Sequence, residues 1–238
     1  MRSETFSTPE PPSLRINLPS GTFRIETAPD TAETHVELSG PNEDEARIEL
    51  RRNEIVIELE KRKLFGLRGD YDLRISAPEG TQVDAHTASG DIEGRGRFGE
   101  VSVDSASGDV SFEHIDGRLE ANTASGDVDV DFVGDVLRVN SASGDVVLGE
   151  TENDAKIRTA SGDIRIRSAR RGKIDITSAS GDVEVGIRRG SSVYIDASSM
   201  SGDMTSDMDV SDAPPVSDGP AVDFRARTMS GDITVRRA

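Results

Sequence analysis

One phrase recurs eight times along this chain: Ser-Gly-Asp followed by an apolar residue. Its glycines are Gly90, Gly108, Gly126, Gly144, Gly162, Gly181, Gly202 and Gly231, separated by 18, 18, 18, 18, 19, 21 and 29 residues. A period of this length marks stacked units, each unable to bury its inner face without a neighbour. The repeat therefore constrains architecture tightly and says little about chemistry.

Aligned on the Ser, the units share apolar columns. Six residues earlier stand Val83, Val101, Leu119, Leu137, Ala155, Ile174, Ile195 and Phe224, and four earlier Ala85, Val103, Ala121, Val139, Ile157, Ile176, Ala197 and Ala226. Two earlier is always Ser or Thr. Three after come Ile92, Val110, Val128, Val146, Ile164, Val183, Met204 and Ile233. Alternation of this kind predicts two strands per unit, each with one face inward, and the Ser-Gly corner between them. The fold predicted is all-β, a single-stranded parallel β-helix-like solenoid of about 18 residues per coil, right-handed as parallel crossovers overwhelmingly are. The eight glycines are expected to sit at the corners with positive φ. A core of small and branched residues explains how the chain folds with 4% aromatics.

Ahead of the repeat, residues 1–13 are polar, carry Pro9, Pro11 and Pro12, and are expected to form a flexible arm. Residues 14–80 read as short strands separated by turns, an N-terminal β region that covers one end of the stack. Within it, Ser20-Gly21-Thr22 resembles a worn copy of the repeat. Residues 81–238 form the solenoid, with a mobile loop expected at 206–221, where Asp212-Ala213-Pro214-Pro215 lies. Arg68-Gly69-Asp70 matches a cell-adhesion tripeptide, but reads as a chance tripeptide in a turn.

Charge excludes some functions. With 45 acidic against 28 basic residues the net charge is −17, which disfavours nucleic acid and anionic membrane as partners. There is no cysteine, so disulfides and thiolate chemistry are excluded. No apolar run has transmembrane length and Met1-Arg2-Ser3-Glu4-Thr5-Phe6 has no signal-peptide character, so the chain is expected to be cytoplasmic, without direct membrane insertion.

Two groups of side chains invite a functional reading. The first is the column Asp91, Asp109, Asp127, Asp145, Asp163 and Asp182, continued by Asp203 and Asp232. Calcium takes six to eight oxygens, and Asp after Gly-rich turns supplies them in some β-helices. The Gly-Gly-x-Gly-x-Asp nonapeptide is missing, however, and an Asp accepting hydrogen bonds within its own turn explains the column better, so no cofactor or metal is expected. The second is the basic cluster Lys156, Arg158, Arg165, Arg167, Arg170 and Arg171, which adjoins an acidic stretch at 100–135 and reads as an interaction face for an acidic partner or a second copy. The histidines His35, His86 and His114 have no partners at metal-ligand spacing; His86 should point outward.

Pro78-Glu79-Gly80-Thr81, running through Ala85-His86-Thr87-Ala88-Ser89-Gly90-Asp91-Ile92 into further Ser-Gly-Asp copies, resembles the bacterial family called domain of unknown function 4097, an adhesin-like β-strand-repeat family. The resemblance covers about residues 14–238. It implies a single-stranded β-helix without established enzymatic activity, in a group associated with envelope-stress systems and often found beside membrane segments; it transfers no functional residue.

Together these observations predict a non-enzymatic interaction or scaffold protein. A calcium- or glycan-binding β-helix is the alternative, and a polysaccharide-active enzyme using paired carboxylates the third reading. The partner is expected to be a protein or a second copy, including an end-to-end homodimer through the C-terminal coil, where the chain stops with core residues Ile233 and Val235.

Overall fold

The computed structural model describes residues 1–59, 69–208 and 220–238. Twenty-two strands alternate with turns among them, and the one helical segment is a single 3-10 turn at Glu43–Glu45. The N-terminal strands are β1 (Arg2–Ser7), β2 (Ser13–Asn17), β3 (Ser20–Ala28), β4 (Glu33–Ser39), β5 (Ala46–Arg51), β6 (Glu54–Leu59), β7 (Tyr71–Pro78) and β8 (Thr81–Thr87). The long β9 (Ser89–Ser105) bends through nearly one full coil, supplying the outgoing strand of one and the incoming strand of the next. Then follow β10 (Val110–Ile115), β11 (Leu119–Thr123), β12 (Val128–Val133), β13 (Leu137–Ser143), β14 (Val146–Thr151), β15 (Ala155–Ser161), β16 (Ile164–Ala169), β17 (Gly172–Ser180) and β18 (Val183–Ile187). The last four are β19 (Ser192–Ser201), β20 (Met204–Ser206), β21 (Ala221–Ser230) and β22 (Ile233–Arg237).

The strands make two facing parallel layers joined at the Ser-Gly-Asp corners. The front layer carries the strands that lead into each corner, and the back layer those that leave it. The predicted columns are the observed register: Leu119 stands between Val101 and Leu137, Ala121 between Val103 and Val139, and Val128 between Val110 and Val146. All of these are buried, and they belong to one hydrophobic cluster that runs from Leu14 to Val235. The ring of Phe98 meets that of Phe112 edge-on, with centroids 5.1 Å apart.

The worn copy is a true coil. Ser20, Gly21 and Thr22 pair with Ser89, Gly90 and Asp91, while Leu14 and Ile16 pair with Val83 and Ala85. Outside it lies the coil of β6 and β7. Antiparallel strands close this end: β5 on β6 in front, and β4 then β1 on β7 behind. The flexible arm is therefore corrected for residues 2–7, which form six ladder pairs with β4. Phe6 packs on the core and the buried Thr8 hydroxyl meets that of Thr34 at 2.9 Å. An edge strand needs only one buried face, so a polar sequence was no obstacle.

A second correction concerns coil order. The coil of β21 and β22 does not follow that of β19 and β20 in the stack. It lies inside it: β21 pairs with β17 on one side and β19 on the other, and β22 with both β18 and β20. Ile233 and Val235, expected at an open end, are buried. The outermost coil is instead residues 192–206, whose inward residues Val193, Ile195 and Ala197 are only partly buried. The 29-residue spacing before the last repeat is what lets the chain step back. Most of the loop expected at 206–221, residues 209–219, lies outside the described residues.

The corner itself exists in two forms. In the coils of Gly90, Gly108 and Gly126, φ is not positive, and each Gly N–H donates to the Thr87, Ser105 or Thr123 hydroxyl at 2.8–2.9 Å. From Gly144 onward, φ at the corner lies between +130° and +158°, and the N–H groups of Gly144, Gly162, Gly181 and Gly231 donate to the neighbouring coil, as Gly144 does to the Ser161 carbonyl. There the freed hydroxyls of Thr159, Ser178 and Thr228 donate to the carbonyls of Ser161, Ser180 and Ser230 at 3.0–3.1 Å. Positive φ at Gly90, Gly108 and Gly126 is thus corrected. Ser141 sits where one form changes to the other, and its buried Oγ has no partner among the described residues. Ser141→Ala should therefore be neutral or stabilise by a few tenths to about 1 kcal/mol, since an unsatisfied buried hydroxyl is costly. A loss above that in a denaturant melt would mean the hydroxyl is bonded in solution.

Candidate functional site

The aspartate column is the most regular polar feature, and it is structural. The Asp109 amide donates to Asp91 Oδ1 at 3.1 Å, Asp127 to Asp109 at 2.9 Å, Asp145 to Asp127 at 2.8 Å, and Asp163 to Asp145 at 2.8 Å. The ladder continues from Asp182 to Asp163, Asp232 to Asp182 and Asp203 to Asp232, repeating the inverted coil order. Each carboxylate up to Asp232 therefore serves the next coil's amide, because parallel stacking brings that amide directly over it. An interposed N–H dipole offsets the repulsion between successive carboxylates. Among the described residues, no three His, Cys, Asp or Glu side chains converge as metal ligands.

The basic cluster does not make one face. Lys156 and Arg158 point out from β15 in the front layer, Arg165 and Arg167 from β16 in the back layer, and Arg170 and Arg171 from the turn between the layers. Several already meet acids of other coils: Arg165 binds Glu184 at 2.8 Å and Arg170 binds Glu152 at 2.7 Å, each one coil away, and Arg167 lies 3.5 Å from Asp131, two coils away. Arg171 reaches the Glu152 carbonyl and Asn153 Oδ1. The Glu184 carboxylate accepts from Arg165 and holds the Arg165 guanidinium above its ordinary pKa. These are exposed cross-coil pairs of small energetic weight. Of the six, Lys156, Arg158 and Arg171 have no ion pair among the described residues, and β13 adds Arg138 beside Lys156 in the front layer. Arg138→Ala should change stability by no more than about 0.5 kcal/mol.

Of these front-layer cations, Arg158 borders a shallow groove of about 750 Å³ that crosses β8, β9, β11, β13 and β15. Its floor is the exposed alanine that precedes each corner Ser, here Ala88, Ala124 and Ala142, with Leu18 and Pro19 at one end. Its wall is the outward row two residues earlier: His86, Asp104, Asn122, Asn140 and Arg158. The wall is a hydrogen-bonded ladder. Asp104 takes an N–H of Asn122 at 2.9 Å and lies 3.1 Å from His86 Nδ1, and Asn122 Oδ1 takes an N–H of Asn140 at 2.8 Å. His86 points outward, as alternation requires, and lies also 3.2 Å from Asp84.

Sequence reading missed this groove. Its alanines and asparagines are common residue types, and their significance comes from recurring at one column, the alanines before the corner and the asparagines in two successive coils. Of the adhesion-type tripeptide, Arg68 lies outside the described residues, and Gly69 stands against Pro41, whose Cγ is 2.6 Å from where a β-carbon would lie.

Comparison with known proteins gives one family. The profile of Toastrack, domain of unknown function 4097, matches residues 13–236. No curated protein matches the chain. Among solved structures, an inferred lipid binding protein from Parabacteroides distasonis is 17% identical with a TM-score of 0.60, covering 98% of this chain and 96% of that one. An inferred cell adhesion protein from Clostridium sporogenes is 14% identical at a TM-score of 0.31, over 100% and 99% of the two chains. An inferred adhesin from Bacteroides fragilis is 14% identical at 0.39, over 98% and 96%. The first likeness shows a shared fold; the other two carry no weight.

Proposed function

The chain belongs to the Toastrack family, and from that premise we propose a non-enzymatic binding module of the adhesin type, which lays a linear, uncharged glycan along the front groove. The observation that carries this reading is the wall ladder above the alanine floor. Its Asn amides offer donors and acceptors at one strand spacing, about 4.8 Å. Such groups suit a chain of repeating hydroxyls, and the methyl floor suits the apolar faces of sugar rings. A net charge of −17 argues against a polyanion. Arg158, at the groove's end, supplies a further donor.

Among the described residues Asp104 is the one acid lining this groove, and it is already bonded to Asn122, which supports binding over hydrolysis. The fold shared with an inferred lipid binding protein favours a second reading, an acyl chain on the same alanine floor.

Ala124→Arg tests both, because Ala124 is exposed and the longer side chain fills the floor without touching the core. Titration of the intact protein with neutral linear oligosaccharides, followed by calorimetry, should show saturable binding that Ala124→Arg weakens by more than about tenfold at unchanged stability. Binding of fatty acid alone would favour the second reading. Binding of neither, or binding indifferent to Ala124→Arg, removes the groove as the site.

A further inference from the structure

We propose that the protein forms a two-fold dimer by antiparallel pairing of β19 with its copy. The inverted coil order leaves residues 192–206 as the outermost coil, and among the described residues β19 pairs with β21 alone. The opposite end of the stack is protected. Its edge strand β5 carries Arg47, Glu49 and Arg51, tied in ion pairs, and charged edges resist pairing. From Gly190 to Met208 there is no Lys or Arg. The edge instead exposes Tyr194 (63%) and Met200 (84%), and Met229 stands beside Met200 on β21.

The occupant follows from the order of side chains along β19. Its outward residues read Tyr194, Asp196, Ser198, Met200: apolar, polar, polar, apolar. A two-fold axis through Ala197 sets residue 194 opposite 200 and residue 196 opposite 198. Tyr194 of one copy then meets Met200 of the other, a sulfur–aromatic contact, and Asp196 faces Ser198 and not another Asp. The half-buried Ile195 and Ala197 gain cover from the same pairing. No like charges meet in this register. An edge of ten residues, about 33 Å long, places the interface at the small end of the usual range, so the dimer should be reversible.

The test is sedimentation of the full-length chain from micromolar to near-millimolar concentration. Wild type should associate to a dimer. Ser198→Asp sets two carboxylates against Asp196 of the other copy at both symmetric positions and should weaken association by about tenfold or more. Adding Asp196→Asn to it should restore the dimer, which separates the interface from any effect on folding. A wild type that stays monomeric overturns the proposal and leaves the edge to the chain's own residues or a foreign strand. A dimer indifferent to Ser198→Asp also overturns it.

Discussion

Gly126→Ala is expected to destabilise the protein by at least about 3 kcal/mol, a fall of roughly 10 °C or more in melting temperature for a chain of this size. An added β-carbon would lie 2.0 Å from the Gly108 carbonyl oxygen and 2.7 Å from its carbon. Both atoms are backbone, fixed in the coil beneath, so neither can turn away as a side chain would. Relief requires opening the spacing between two coils in the middle of the stack. That lengthens the hydrogen bond from the Asp127 amide to Asp109 and loosens Val128 against Val110. Nearest-neighbour contacts hold a solenoid together, so a wedge at one junction weakens both halves. A thermal melt of Gly126→Ala beside Arg138→Ala checks this; similar midpoints would mean that the corner can yield.

The right glycine was legible in the sequence, but for an incomplete reason. Positive φ holds from Gly144 onward, whereas at Gly126 close approach alone demands glycine. A repeat shows that a residue type is required without showing which of two constraints requires it. The inward columns were legible because burial imposes period two on every strand. Coil order was not, because β17, β19 and β21 carry the same inward pattern and any pair of them would stack. Only loop lengths hint at the exchange, through the spacings of 21 and 29 residues. Residues 2–7 were misread as an arm because an edge strand needs little apolar character, and three prolines following it suggested looseness.

The candidate sites fared differently for a related reason. Clustering in sequence placed Lys156 to Arg171 together, yet one coil of a solenoid carries consecutive residues around its whole circumference. Surfaces here are built from residues one coil apart. Asp104, Asn122 and Asn140 are separated by 18 residues each and form one wall, while Arg158 and Arg165 stand on opposite layers. The aspartate column obeyed this rule and was visible, though its bond partner, the next coil's amide, required the stack itself. The tools for locating a surface on such a chain are the columns, not the runs.

The inverted coil order carries its own large effect. Phe224→Ala should cost about 3–5 kcal/mol, as truncation of a fully buried phenylalanine does, while Ile195→Ala should cost under about 1 kcal/mol. The two residues occupy the same inward column and pair directly with one another. If coils stacked in chain order, Ile195 would be enclosed and Phe224, near the C-terminus, would lie on the open end. In the structure Phe224 is 0% exposed between Ile174 and Ile195, and Ile195 itself is only partly buried. Hydrogen exchange should agree, with the amides of β22 slower than those of β20, because β22 lies between β18 and β20. Stability is best measured on dilute protein, since pairing of β19 between copies would enclose Ile195 and raise its cost with concentration. Comparable losses for the two variants at low concentration, with β20 the slower to exchange, would restore chain order and remove the edge on which dimerisation depends.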